Sequence, residues 1–447
     1  EPSLLTDADV PPPWRTRMTL DDFVEGTGES DEIDEPIVCH VDMDCFYAAC
    51  ERLREPELEG EPVVVGMGYK PGDSVGAVAT ASYEAREYDV ESAQAISTAL
   101  ERLPRRADQP DDPETGLYRP VDMDYYESVA ADVKDVLHEV ADVVREVSID
   151  EAYLDVTDRT DWSVAEGFGR HVKDRIQREV GVTASVGMAP TMSAAKVASD
   201  HDKPDGLVVV PPDELQEFLA PLPIEELHGV GPVTAGRLRD AGIERASDLV
   251  EADRAGLRDR FGERGAELHD RARGIDERSV TPRGDPKSLS RESSFAEATD
   301  DETGVNQRID ALAAEVADRA HRKGALYRTV GIKVVTPPYD VNTRERSLPG
   351  PVDDPALVTT VALELIEEFY GAPIRKVGVR VSNLEFPSAD QATLGGWEGT
   401  TSGDADSDAP ARVDPGENET GSPTNGDSSD SRDSPGPGQT TLDDFVE

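Results

Sequence analysis

The sequence predicts an α+β chain of several domains: a ferredoxin-like core split by an insertion, a small helical domain, a second α/β domain, and tails at both ends. Three observations carry this. Strands and helices alternate from 36 to 203, with acidic residues at the strand ends. Two helical segments meet at the tight turn Gly229-Val230-Gly231. Residues 1–35 and 387–438 are acidic and rich in Gly and Pro, the second stretch also in Ser and Thr, with little apolar content, a composition that stays disordered.

At 447 residues the chain is long enough for several cores. Its formal charge is 45 − 94 = −49, and 36 of its 45 basic residues are Arg. The acids are spread along the whole length, as in a halophilic protein from a salt-rich cytoplasm. At about 1 M salt the Debye length is only ~3 Å, so a diffuse acidic surface repels a polyanion little while close contacts survive. Net charge therefore does not exclude nucleic acid. Cys39, Cys45 and Cys50 stand too close together for a disulfide framework and have no His cluster beside them, so they read as buried thiols in a reducing cytoplasm. No apolar run approaches the ~18 residues of a membrane span, and no signal peptide is visible.

Two acidic strands organise the core. In Val147–Val156 an apolar strand is interrupted by Asp150 and Glu151. Successive strand side chains point to opposite faces, so both acids serve one site only if a turn or bulge re-aims one of them, as at a hairpin tip. Hard oxygen ligands of this kind suit Mg²⁺. An isolated Asp-Glu pair would more often be a solvated hairpin; a second acidic strand changes that weighing. In Ile37–Tyr47 an apolar, β-branched run ends at Asp42, and a helix is expected over Phe46–Arg54.

HVDMDCFYAACE and SIDEAYLDV resemble the two catalytic motifs of the Y-family translesion DNA polymerases, nearest the polymerase IV branch. The resemblance covers roughly residues 36–386. It implies a palm (36–45 and 115–203) carrying Asp42, Asp150 and Glu151 as ligands of two Mg²⁺ ions, with the Met43 carbonyl completing one site. It also implies fingers over 46–114. Asp44 shares a strand face with Asp42 by periodicity, but the resemblance leaves it out. Tyr47, directly after Phe46, matches the ring that lies beneath the sugar and excludes a ribose 2′-OH. A core aromatic is the plain alternative, set against the expectation that two successive aromatics on a strand do not both face one core.

Strands are expected at Pro62–Gly66 and Ala77–Ala81, the latter leading into a helix on which Tyr83 and Arg86 share a face. In ATASYEAREYDV the resemblance assigns Thr80, Tyr83 and Arg86, with Phe46 and Tyr47, to the incoming triphosphate, and an Arg fork suits phosphate oxygens. Asp89 and Glu91 depart from the family pattern. Residues 105–116 read as a loop without chemistry. A helix is expected over Tyr125–Arg145, another over Gly167–Val180, then a strand Val182–Met188 and a helix with Lys196. The resemblance places Lys196 on the β- and γ-phosphates, against the alternative of a snorkelling lysine.

Residues 224–243 read as helix, hairpin, helix. They resemble the helix-hairpin-helix of the family's thumb (204–276), whose Gly229, Val230 and Gly231 backbone would cradle a DNA phosphate. A linker (277–287) precedes an α/β little finger (288–386). From Arg319 to Arg346 seven Lys or Arg face two acids, a local +5 that favours phosphates over a solvated face.

Thr441–Glu447 repeats Thr19–Glu25 residue for residue. With Gln439, Leu442 and Phe445, the segment 439–447 resembles the sliding-clamp-binding peptide (PCNA type) of replication proteins. The 52 residues of 387–438 would give it a reach of roughly 40 Å. The resemblance thus implies a cytoplasmic, monomeric, template-directed and error-prone DNA polymerase without proofreading, using primer–template DNA and dNTPs. A non-catalytic DNA- and clamp-binding scaffold, or a nucleotide cyclase with a similar palm, remain alternatives at this point.

Overall fold

The computed structural model describes residues 35–387, which divide into two units between Asp285 and Pro286. Both copies of the TLDDFVE repeat, and Gln439, Leu442 and Phe445 with them, lie outside the described residues.

The first unit is built on β1 (Val38–Met43), whose six residues are all buried. After β1 come α1 (Phe46–Arg54), β2 (Val63–Met67), β3 (Ala77–Ala81), α2 (Tyr83–Arg86), α3 (Ile96–Arg102) and β4 (Leu117–Pro120). Strands β3-β2-β4 form a small sheet of their own. The chain then returns through α4 (Met123–Val140), β5 (Val143–Glu146), β6 (Glu151–Asp155), α5 (Ala165–Glu179), β7 (Ala184–Ala189), α6 (Met192–His201) and β8 (Leu207–Val209). The main sheet has the order β5-β6-β1-β7-β8, with β1 antiparallel to both its neighbours.

Helix α4 is capped by the Asp122 side chain, which accepts from Tyr125 N, and buries Tyr126, Val129, Ala130, Val133, Val136, Leu137 and Val140 along one stripe. This stripe packs with Cys39, Val41 and Met43 on one face of the sheet. The expected helix over 125–145 is too long: the chain leaves the helix at Ala141, and Val143–Glu146 forms an edge strand paired with β6.

The opposite face carries Val38 and Tyr153 and is covered by the small residues Ala194, Ala195 and Ala198 of α6. Gly187 lets α6 lie close, since a Cβ there would fall inside the helix backbone at Ala195 and Ser199. Gly187→Ala is therefore expected to cost ~3 kcal/mol or more, lowering the melting temperature by about 6–12 °C. Thermal melts in molar KCl check this.

Past α7 (Leu215–Leu219), four further helices build a separate core: α8 (Pro232–Arg239), α9 (Ala246–Glu251), α10 (Arg254–Phe261) and α11 (Glu263–Ala272). The expected helix at 224–228 is only a 3₁₀ turn over Ile224–Glu226.

The second unit runs β9 (Ser288–Thr299), α12 (Glu302–Arg322), β10 (Leu326–Thr336), β11 (Asp340–Val352), α13 (Pro355–Ile366), β12 (Ile374–Glu385). Its sheet, β11-β10-β12-β9, is antiparallel throughout and packs against both helices. Folding brings acids to part of the basic window 319–346. Arg344 forms a two-pronged pair with Glu368 (2.7 and 2.5 Å), Arg346 pairs with Glu364, Arg328 with Glu385 (2.6 Å) and Lys333 with Glu292 (2.8 Å). Acids distant in sequence thus pair with four of the seven cations. Among the described residues no helix is long and apolar enough to cross a membrane.

Candidate active site

Asp42 is the next-to-last residue of β1 and stands directly opposite Glu151, the first residue of β6. The hairpin from β5 to β6 turns through 147–150. Ser148 Oγ accepts from the backbone N–H of Asp150 (3.3 Å) and Glu151 (3.1 Å) and donates to Asp150 Oδ1 (2.5 Å). Asp150 thus sits in a turn and Glu151 in a strand, which is how adjacent residues escape strand alternation. Met43 N donates to the Asp150 carbonyl (2.9 Å), tying the two acidic segments together.

Three carboxylates at one sheet end repel each other and need positive charge. The Lys196 ammonium bridges Asp42 Oδ2 (2.7 Å) and Glu151 Oε2 (2.8 Å). Lys203 donates to Asp42 Oδ1 (2.7 Å) and Asp200 Oδ1 (2.9 Å). Burial opposes ionisation of Asp42, but Lys196 and Lys203 outweigh it and hold the carboxyl below its ordinary range. Burial likewise opposes Glu151, where the His40 ring and Lys196 prevail and pull it down. Asp150 behaves differently: burial, reinforced by the charges of Asp42 and Glu151, pushes it up against the Ser148 bond. Among the described residues no side-chain cation pairs with Asp150. The donor set itself, hard oxygens in excess of cations, fits a divalent metal.

Sequence reading missed Lys203 and His40. His40 is fully buried on the face that carries Asp42, with Nδ1 2.8 Å from Ser199 Oγ and Nε2 3.6 Å from Glu151 Oε2. The period of two along β1 is the signal that could have found it.

Phe46 and Tyr47 begin α1 rather than continuing the strand, so the expectation that successive aromatics face different ways does not apply. Both are buried in one core cluster. The Tyr47 ring stacks on Tyr126 (centroids 4.7 Å apart, planes 17° apart), while the Tyr126 hydroxyl donates to Glu51 (2.7 Å). Burial, with the negative charge of Asp150 adding to it, raises the Tyr47 phenol.

Thr80 lies half-buried on β3, paired with Val65. Ser82 caps α2, placing Tyr83 and Arg86 on one face with the guanidinium 4.5 Å from the ring centroid. The Tyr83 hydroxyl donates to Asp44 Oδ1 (3.2 Å), so this helix reaches the end of β1.

In the helical part, Gly229 has φ +91°, and a Cβ there would lie 2.6 Å from the guanidiniums of both Arg264 and Arg271. Those side chains, from α11, donate to Gly229 O (2.7 Å) and His228 O (3.1 Å). Gly231 is the N-cap of α8, whose first-turn N–H groups form the donor end of the hairpin.

The geometry has close relatives. The sequence model of the impB/mucB/samB family matches residues 41–200, the C-terminal domain model of that family 286–394, and its helix-hairpin-helix motif 212–243. DNA polymerase IV of Halobacterium salinarum is 67% identical over 371 residues, 83% of this chain and 90% of the relative. The chain belongs to the Y-family DNA polymerases. DNA polymerase IV of Methanoculleus marisnigri is 40% identical, covering 80% of this chain and 97% of the relative. Among solved structures, a Dbh–Dpo4 Y-family chimera superposes with a TM-score of 0.69 at 27% identity, covering 78% of this chain and all of the chimera. An insertion ternary complex of Dbh DNA polymerase gives a TM-score of 0.57 at 26% identity, with the same coverage. Membership makes this a DNA-directed DNA polymerase of the translesion class, and Y-family polymerases depend on divalent metal. The helix-hairpin-helix match removes the cyclase alternative.

Proposed function

We propose that this chain extends a primer 3′-OH on template DNA by phosphoryl transfer from dNTPs, with Asp42, Asp150, Glu151 and the Met43 carbonyl holding two Mg²⁺ ions. The observation that carries this is the pairing of Asp42 with Glu151 across β1 and β6, with Asp150 in the adjoining turn and ammonium groups already at the carboxylates. When bound, the ions supply Lewis-acid stabilisation of the charge that develops at the attacking, transferred and leaving oxygens.

The protein's residues orient the reactants. Lys196 and Lys203 balance the carboxylates in this structure and lie where they can turn to the triphosphate. Tyr83 and Arg86, with Thr80, approach it from the fingers. Tyr47, with Phe46 packed beside it, supports the deoxyribose and excludes a 2′-OH. The Gly229–Gly231 backbone and the start of α8 take a DNA phosphate without reading sequence. The enzyme acts as a cytoplasmic monomer, a setting in keeping with its three unpaired thiols. The family resemblance supports synthesis that is error-prone and without proofreading.

Primer extension on undamaged template, with Mg²⁺ and dNTPs in molar KCl, tests the reading. Extension that stops on adding EDTA is expected; no extension with DNA binding intact would favour the scaffold.

The segment 439–447 is proposed to dock a PCNA-type clamp through Gln439, Leu442 and Phe445. Phosphate-driven affinity falls steeply with salt, so a tether weighs more in a salt-rich cytoplasm. Removing 439–447 is expected to abolish clamp-stimulated synthesis in high KCl and leave clamp-free extension intact. Undiminished stimulation would refute the tether.

A further inference from the structure

Asp44 is acidic, nearly fully buried at 4% exposure, and two residues beyond Asp42, yet its hydrogen-bond partners are not those of the carboxylate cluster. Strand β1 ends at Met43, and Asp44 N donates to Thr183 O (2.9 Å), carrying the β1–β7 register one residue further. Its oxygens then accept from three separate elements. Ser185 Oγ on β7 lies 2.9 and 3.0 Å from the two oxygens, Asp205 N donates to Oδ2 (2.8 Å), and the Tyr83 hydroxyl on α2 donates to Oδ1 (3.2 Å). Ser185 Oγ also accepts from Gly206 N (3.1 Å), so the carboxylate and this hydroxyl together pin the segment after Lys203. Lys203 in turn is the residue on Asp42 Oδ1.

We infer that Asp44 is the positioning residue of the nucleotide pocket: one buried carboxylate fixes the Tyr83 ring from the fingers side and the Lys203 segment from the palm side. An acceptor-only group serves here because every group facing it is a donor, and a buried donor left unpaired is costly. The inference rests on the reading that Tyr83 and Lys203 face the triphosphate. It separates Asp44 from the metal ligands by mechanism: losing a ligand strikes turnover, whereas losing this anchor strikes nucleotide affinity.

The test compares wild type, Asp44→Ala, Asp44→Asn, Tyr83→Phe and the Asp44→Asn/Tyr83→Phe double variant in single-nucleotide insertion. In parallel, dNTP affinity is measured by equilibrium dialysis on a dideoxy-terminated primer–template, without turnover. Asp44→Ala is expected to raise KM and Kd for dNTP by roughly 10-fold or more, since it strips several charge-assisted bonds, with kcat within about 3-fold. Asn keeps one acceptor oxygen for Ser185 and Asp205 N, so Asp44→Asn folds and gives a smaller rise. That rise should vanish in the Tyr83→Phe background, because the two residues act through one contact. Unchanged KM and Kd in Asp44→Asn and Asp44→Ala would overturn the inference. So would a collapse of kcat at unchanged KM, which would make Asp44 a metal ligand. If wild type itself fails to extend primers, the polymerase reading falls, while the dialysis comparison still decides Asp44.

Discussion

Glu151→Gln is expected to lower kcat for primer extension by roughly 10³-fold or more, about 4 kcal/mol of barrier, with little change in DNA affinity. Gln keeps the size and one acceptor oxygen but removes the charge. In the native site that charge is strongly favoured: His40 and Lys196 hold the Glu151 carboxyl far below its ordinary range, so it is ionised throughout the neutral region. A neutral amide leaves Lys196 with Asp42 and Asp200 as partners, at 2.7 and 3.4 Å, so the ammonium is not stranded and the fold should hold. A melting temperature within a few degrees of wild type, beside lost extension, would place the defect in chemistry. Extension within 10-fold of wild type would remove Glu151 from the catalytic set.

The two acidic strands were legible because an apolar run ending in Asp is costly unless something compensates the charge, and the structure places both ends side by side. Less legible was what compensates it. Lys203 lies about 160 residues from Asp42, and the packing of α6 on β1, with the bonds of Asp205 and Gly206 to Asp44 and Ser185, brings its segment to the site. Strand β5 was hidden for a different reason: Val140, Val143 and Val144 continue the helical spacing of α4, and pairing with β6 overrides it. The basic window at 319–346 hid its partners because a window counts neighbours in sequence. Glu364 on α13, Glu368 in the turn after it, Glu385 on β12 and Glu292 on β9 pair in space with four of its seven cations.

Tyr47→Ala is expected to cut discrimination between dNTP and rNTP, measured as the ratio of kcat/KM values, by roughly 10²-fold or more, about 2.7 kcal/mol. Exclusion works by collision: a rigid ring admits a hydrogen at the sugar 2′ position but not a hydroxyl, and the penalty lasts only while the ring cannot retreat. Here it cannot. Tyr47 is 7% exposed, and the Tyr126 ring stacked behind it is itself fixed by its bond to Glu51. The same packing means that truncation leaves a cavity costing about 3–5 kcal/mol of stability, so melting is to be measured alongside. Tyr47→Phe separates the two effects, because it keeps the ring and its stacking and should retain discrimination. Ribonucleotide insertion unchanged in a folded Tyr47→Ala protein would move the gate elsewhere, and Phe46, the neighbouring buried ring, would be the next residue to truncate.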